Sequence, residues 1–430
     1  MTRQLFVWRD CYDYYEQVGR LLLDDAGWLF SYRPDYSGPP ISTRLPIQVE
    51  SFSASETASF FSALSPEGQV KAEFLRALRA ESNEYEPLLQ RLNDESQGAL
   101  VFSAANEVPG SNAAYLPLDP GFFERFAASP QSVAFETMGR TRLSLAGAMA
   151  KVGLYRSSSG KWFLPIGAAP SNYIVKAGSS LFPHEVLNEA LCLETARKCD
   201  YDVPSVEVLE TAAGPLLAIE RYDRIIPDSP RLIDGLPVPR RLHQEDFCQL
   251  CGLPSSWKYE PTNGSYLGLG ASNITRTCAN AFGETQLFVS YVLFDYLIGN
   301  CDNHLKNFSI LYSEDWRVLQ VAPRYDIVST TLYSNLFTEM GVSLQPSRSI
   351  FSLKQRTLEA TLAAAKLPTK LGMDEFNELA STIPGALDNA RDYLVERGFP
   401  DARRVADVIR DGILKRAAFS FDVDSALTLA

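Results

Sequence analysis

"IGNCDNHLKNFS", residues 298–309, sets Asp302, His304, Lys306 and Asn307 directly behind an oily run, "FVSYVLFDYLIG" at 288–299. A loop can be polar for solubility alone, but these side chains can all take part in proton or phosphate chemistry. Asp302 and Asn307 also stand five positions apart. Downstream, "FSILYS" (308–313), a turn at Glu314–Asp315 and "RVLQVAP" (317–323) read as a hairpin. It folds the chain back and delivers Asp326 in "RYDIVS" (324–329).

That order matches the one in which protein kinases carry a base and two magnesium-binding groups. Phosphoryl transfer from ATP needs a positioned nucleophile, metal ions and charge on the phosphates, with little covalent help from the protein. On this reading Asp302 orients the acceptor hydroxyl and receives its proton. Asn307 and Asp326 offer the hard oxygen atoms that Mg2+ prefers. Taken singly, each residue has a plainer reading. Asp and Asn favour turns, Asp326 could cap a strand end, His304 could be a structural histidine, and Lys306 a solvated or phosphate-steering charge.

Upstream, "NYIVK" (172–176) puts Lys176 at the end of an apolar strand, where an ammonium could neutralise α- and β-phosphate charge. Glu189 lies in the helix expected over "HEVLNEALCLETARKC" (184–199) and either orients that lysine or is an ordinary surface acid. In "LSLAGAMAK" (143–151), Gly147 between Ala146 and Ala148 would let backbone N–H groups approach phosphate. "SSSGKW" (157–162) has neither the spacing nor the Ser/Thr of a Walker A loop and reads as a hairpin turn. "LLAIERYDR" (216–224) could pair its backbone around Glu220 and Tyr222 with adenine while Asp223 faces the ribose; a buried strand with a charged exit turn is the alternative.

The whole chain fits this outline. Its 430 residues suggest two or three units, and 46% hydrophobic with 21% charged residues is the balance of a globular protein. A net charge of −12 argues against non-specific attraction to nucleic acid. No apolar run is long enough to suggest a membrane span, and "MTRQLFVWRD" has no secretory signal. Seven scattered cysteines suggest reduced thiols, and "CQLC" (248–251) lacks the further ligands of a zinc site. "LFVW", "VGRLLLD" and "GWLFSYR" read as strands, the last two joined through Asp24–Gly27. Ser53 and Glu56 form a capping box, and Pro66 precedes a helix over "VKAEFLRALRA" (70–80). Residues 105–121 read as linker. "TRLSLAG", "KVGLYR", "KWFLP" and "NYIVK" then read as short strands, followed after residue 240 by mainly helical chain. A strand-rich small lobe before a helix-rich large lobe is the outline of a kinase.

The chain resembles the HipA family of bacterial serine/threonine kinases, the toxin halves of HipA/HipB toxin–antitoxin pairs. The likeness rests on "SLAGAMAK", "NYIVK", "AIERYDR", "RLHQEDFCQLCGLPSSWKYE", "YLIGNCDNHLKNFS" and "VAPRYDIVS", and the first 100 residues are similar to the family's N-terminal domain. It implies an α+β, bilobal protein-kinase-like fold. A HipA-like N-terminal domain would span 1–107, a linker 108–139, a small lobe and hinge 140–222, and a helical large lobe 223–430 with the catalytic segment at 298–329. It implies ATP and Mg2+ as cofactors, Asp302 as catalytic base, and Asn307 and Asp326 as magnesium ligands. ATP contacts would come from Ala146, Gly147, Ala148, Lys176, Glu220, Tyr222, Asp223, His304, Asn307 and Asp326, with Gln244 in support. Ser144 would be an autophosphorylation site, where about two added negative charges would repel nucleotide.

The implied substrate is an aminoacyl-tRNA synthetase, notably the glutamyl enzyme. The implied partner is a HipB-like helix-turn-helix antitoxin, through which alone the protein would meet DNA in a bacterial cytoplasm. Met149 and Ala150 depart from the Gln and Glu of the family, and the stretch from Lys176 to Glu189 is shorter. The competing classes are a non-catalytic HipA-like co-repressor or scaffold and a small-molecule or lipid kinase.

Overall fold

Alternating apolar residues build the first sheet. The computed structural model describes residues 3–65, 76, 89, 97–109, 112–141, 149–259, 282–336, 338–344 and 348–418. Strands Gln4–Asp10, Tyr15–Asp24 and Gly27–Tyr32 form a meander, with Asp24 facing Gly27 across the tight turn. Gly27 sits at φ +121°, a conformation that a β-carbon would strain. Leu100–Ser103 pairs with the first strand and completes four strands, burying Leu5, Val7, Val18, Leu21 and Phe30. Helix Ala54–Phe61 follows, its N-terminal donors satisfied by the expected reciprocal bonds of Ser53 and Glu56. All but Arg76 of the helix expected over 70–80, and all but Thr141 of the strand expected over 141–147, lie outside the described residues, and Thr141 ends a helix instead.

The segment expected as a linker, 108–139, carries secondary structure instead. Ala113–Pro117 is the edge strand of a six-stranded sheet, and Phe122–Ala128 and Pro130–Thr141 are helices. The residues that suggested loose chain work as helix starts: Gly121 is an N-cap and Pro130 opens the second helix. Phe122, Phe126 and Ala134 pack with Val152, Val175 and Leu216 of the sheet. The sheet runs Ala113–Pro117, Trp162–Gly167, Ala150–Arg156, Tyr173–Ala177, Leu216–Glu220, Val206–Leu209. Ala150 faces Ala177 in register and is buried in that core, which accounts for a small apolar side chain there.

The chain divides into two compact units. One comprises Met1–Ser180, Glu207–Ser255 and Ile310–Leu319 and holds both sheets. Residues 240–246, expected as helical, form short strands Arg240–Arg241 and Gln244–Asp246. Asp246 then caps helix Phe247–Cys251 through a box with Gln249, with Cys248 buried in it.

The other unit comprises Leu181–Val206, Ser256–Ser309 and Gln320–Ala430 and is mainly helical. The long helix Thr369–Glu396 packs against Glu185–Lys198, Phe282–Ile298 and Ala402–Ala417. Phe282–Ile298 has no polar face to turn outward, and Phe288, Val292, Leu293 and Leu297 are wholly buried. Strands followed by helices make an α+β fold. Among the described residues, no helix is long and apolar enough to cross a membrane.

Candidate active site

The expected site residues fall in both units. In the sheet-bearing unit, Lys176 lies on Tyr173–Ala177, whose alternation sends Tyr173, Val175 and Ala177 to the core. Lys176 therefore points to the opposite face, where it is 5% exposed. Its partners in register are Leu217 and Lys151. Lys151 and Lys176 therefore lie side by side on that face of the sheet. Lys151 was not singled out from the sequence, because only the register brings it beside Lys176.

The neighbouring strand Leu216–Glu220 ends at the exposed Glu220 and enters a polar turn. Asp223 is buried, and its carboxylate accepts from Arg221 Nε and Nη2 (both 2.9 Å), Arg224 Nη1 (2.7 Å) and Gln244 Nε2 (3.2 Å). Burial alone would raise its pKa, but Arg221 and Arg224 outweigh it and hold the carboxyl well below the usual carboxylate range. Asp223 is an internal anchor of the turn. Gln244 also accepts from the Tyr222 hydroxyl at 2.6 Å and so ties Tyr222 and Asp223 into one network.

In the helical unit, the buried helix Phe282–Ile298 breaks at Gly299, at φ +89°, where a β-carbon would collide with the Ser329 and Thr331 hydroxyls. The following loop is held by its own amides. Asn300 Oδ1 accepts from the Asp302 N–H (3.0 Å), and Asn307 Nδ2 donates to the Asp302 carbonyl (2.6 Å). Asn303 bonds Val342 and the Gly341 N–H. The backbone of Asp302 is thus fixed on both sides while its carboxylate stays exposed. The Tyr259 hydroxyl donates to Asp302 Oδ1, and the Tyr259 ring stands edge-on to buried His304 at 5.0 Å.

A buried ion pair joins this loop to the chain that returns with Asp326. Arg324 Nη2 makes two 2.7 Å contacts with the Asp295 carboxylate, and its Nη1 donates to the Asn307 carbonyl at 2.7 Å. Its guanidinium also lies 4.5 Å from the Phe308 ring centroid. Asp326, two residues on, therefore stays within about 7 Å of the Arg324 Cα. It adopts φ +51°, which Asp tolerates better than most residues. Just beyond, Asn188 clamps Ser329 with reciprocal 3.0 Å bonds, its amide donating to the carbonyl and accepting from the N–H. Glu189 is wholly buried beside it, not a surface acid.

The helical unit thus gathers Asp302, His304, Asn307 and Asp326 on one braced segment. The sheet-bearing unit carries Lys176, Glu220, Tyr222 and Asp223. Ser144, Ala146, Gly147 and Ala148 lie outside the described residues. Asp295 and Arg324 were missed as bracing residues, although a lone acid inside an apolar helix signals a buried cationic partner.

A family model described as the HipA-like C-terminal domain matches residues 143–387, and one described as the HipA N-terminal domain matches 10–103. The Y4mE protein of Sinorhizobium fredii is 32% identical over 354 residues, covering 80% of this chain and 81% of that protein. The serine/threonine-protein kinase toxin HipA of Shewanella oneidensis is 26% identical over 392 residues, 86% of each chain. Among solved structures, the Shewanella oneidensis HipA, HipB and operator DNA complex matches with a TM-score of 0.79 at 21% identity over 97% of each chain, a likeness of fold.

Proposed function

The chain belongs to the HipA family, and on that premise we propose that it is an ATP- and Mg2+-dependent serine/threonine protein kinase, the toxin of a toxin–antitoxin pair. One observation carries the reading. An exposed Asp302 has its backbone pinned at both ends, with Asn307 bonded to its carbonyl and Arg324, two residues before Asp326, bonded to the Asn307 carbonyl. In this reading Asp302 accepts the proton of a protein hydroxyl as that oxygen bonds to the γ-phosphorus and the bond to ADP breaks.

Asn307 commits its Nδ2 to the Asp302 carbonyl, which leaves Oδ1 as the atom to offer a metal. With the Asp326 carboxylate this makes a hard-oxygen pair suited to Mg2+, an ion that keeps several waters. When bound, the ion neutralises charge across the phosphate oxygens. Lys176, with Lys151 beside it, brings positive charge to phosphates, and the backbone at Glu220 and Tyr222 takes adenine. His304 completes the contact set, Ala146–Ala148 cover the phosphates, and Ser144 is the autophosphorylation site. The arrangement we propose is bilobal and kinase-like.

The Shewanella relative bears a toxin name and was solved with HipB and operator DNA. This supports a small helix-turn-helix antitoxin as partner here. The net charge of −12 supports contact with DNA only through it. A translation factor such as an aminoacyl-tRNA synthetase is the proposed substrate, in a bacterial cytoplasm. Calorimetry tests the reading: ATP should bind in the presence of Mg2+, and Asp326→Ala should abolish the Mg2+-dependent part. Unchanged affinity in the variant would reject the metal role.

A further inference from the structure

The Tyr259 hydroxyl bonds the carboxylate of Asp302. Its placement is built from three sides. The Leu305 N–H donates to the Lys258 carbonyl at 3.0 Å, which lays the chain at 258–259 along the loop that carries Asp302. The ring meets His304 edge-on at 5.0 Å. The Lys258 ammonium lies 5.4 Å from the ring centroid. The phenol is thereby directed at Oδ1, and the backbone of the same aspartate is already fixed by Asn300 and Asn307.

We propose that Tyr259 is a positioning residue for phosphoryl transfer: its hydroxyl locks the rotamer of Asp302 by occupying Oδ1, so that Oδ2 is the atom presented to the acceptor hydroxyl. This rests on the reading of Asp302 as the base. A carboxylate on an exposed loop rotates about χ1 and χ2 unless something holds it, and a base contributes only when its oxygen is within hydrogen-bond reach of the proton it takes. A phenol donating to the carboxylate makes a charge-assisted bond, stronger than a neutral one. The ring wall of His304 fixes where that phenol can stand. The exposed Trp257 and half-exposed Tyr259 also set the surface that an approaching protein meets beside the base.

The test is a double-mutant cycle with the full chain, reading initial rates of labelled phosphate transfer from ATP to protein. Tyr259→Phe keeps the ring against His304 and removes only the hydroxyl. It should lower kcat about tenfold with the KM for ATP and the thermal midpoint unmoved. In an Asp302→Asn background the same change should cost nothing further, because its effect passes through that carboxylate. A Tyr259→Phe enzyme with wild-type kcat would overturn the proposal, as would equal losses in both backgrounds. Phosphate found on Tyr259 by mass spectrometry would also overturn it, since the residue would then be an acceptor. Full activity of Asp302→Asn by itself would instead sink the base assignment, a separable failure.

Discussion

Asp295 and Glu245 are both wholly buried carboxylates, and they are accommodated in opposite ways. Asp295, in the helical unit, faces the Arg324 guanidinium at two points and takes a third bond from Asn300 at 2.9 Å. Burial pushes its carboxyl up from the ordinary value, against the pull of the guanidinium. Glu245, in the sheet-bearing unit, meets no cation among the hydrogen bonds it makes. It accepts from Ser42 Oγ (2.5 Å), the Tyr312 hydroxyl and the Thr43 N–H (3.4 Å). Burial pushes its carboxyl up to about 7, against the pull of those donors. The difference lies in what faces each buried carboxyl. The carboxyl that braces the loop bearing Asp302 faces a guanidinium, whereas the one at the seam between residues 42–43 and Tyr312 accepts from neutral donors.

Breaking the pair should have the largest effect on stability. Arg324→Met leaves Asp295 buried without its counterion and should cost about 3–5 kcal/mol in urea unfolding. The Asp295→Leu/Arg324→Met double variant should recover most of that, and a single variant within about 1 kcal/mol of wild type would show the pair to be unimportant.

The second effect is a pH dependence confined to the other carboxylate. With a folded pKa of about 7 against about 4.5 unfolded, the stability Glu245 contributes is fully present below about pH 4.5. It is lost as pH rises through 7, up to about 3 kcal/mol. His243 opposes it. Burial pushes that imidazole down to about 4, and its Nε2 bonds the Ile41 carbonyl at 2.8 Å while its ring stacks on Trp316. Its contribution is present above about 6.5 and lost as pH falls toward 4. The two slopes offset each other between about pH 4.5 and 6.5. Glu245→Gln should remove the alkaline loss, so its thermal midpoint should gain on wild type from pH 5 to 8. Parallel curves would mean that Glu245 does not titrate in this range.

Smaller effects should sharpen the contrast between register and side-chain bracing. Lys176→Met should weaken ATP binding about ten- to a hundredfold, the scale of a lost charged hydrogen bond, without lowering the thermal midpoint. A lowered midpoint with unchanged ATP affinity would make the lysine structural. Ser53→Ala, which removes one local cap far from either carboxylate, should cost about 1 kcal/mol in unfolding measurements.

How far the sequence could be read follows the same divide. Local signals were legible: the Asp24–Gly27 turn, the Ser53–Glu56 box, the strand ending at Lys176 and the five-residue spacing from Asp302 to Asn307 all depend on neighbours in the chain. What depended on distant partners was not. Lys151 meets Lys176 only through strand register, and Arg324 meets Asp295 across 29 residues. The Gln244 amide reaches Asp223 from 21 positions away. Residues 108–139 looked like linker because Pro and Gly signal turns and helix starts alike, and only packing of Phe122 and Phe126 decides between them.

The central claim is that the braced segment around Asp302 performs phosphoryl transfer, and labelled ATP tests it most directly. Wild-type protein incubated with Mg2+ and a bacterial lysate should label itself or a lysate protein. Asp302→Asn, with an unchanged thermal midpoint, should do so about 10²–10⁴-fold more slowly. Equal labelling by the two proteins would contradict the account.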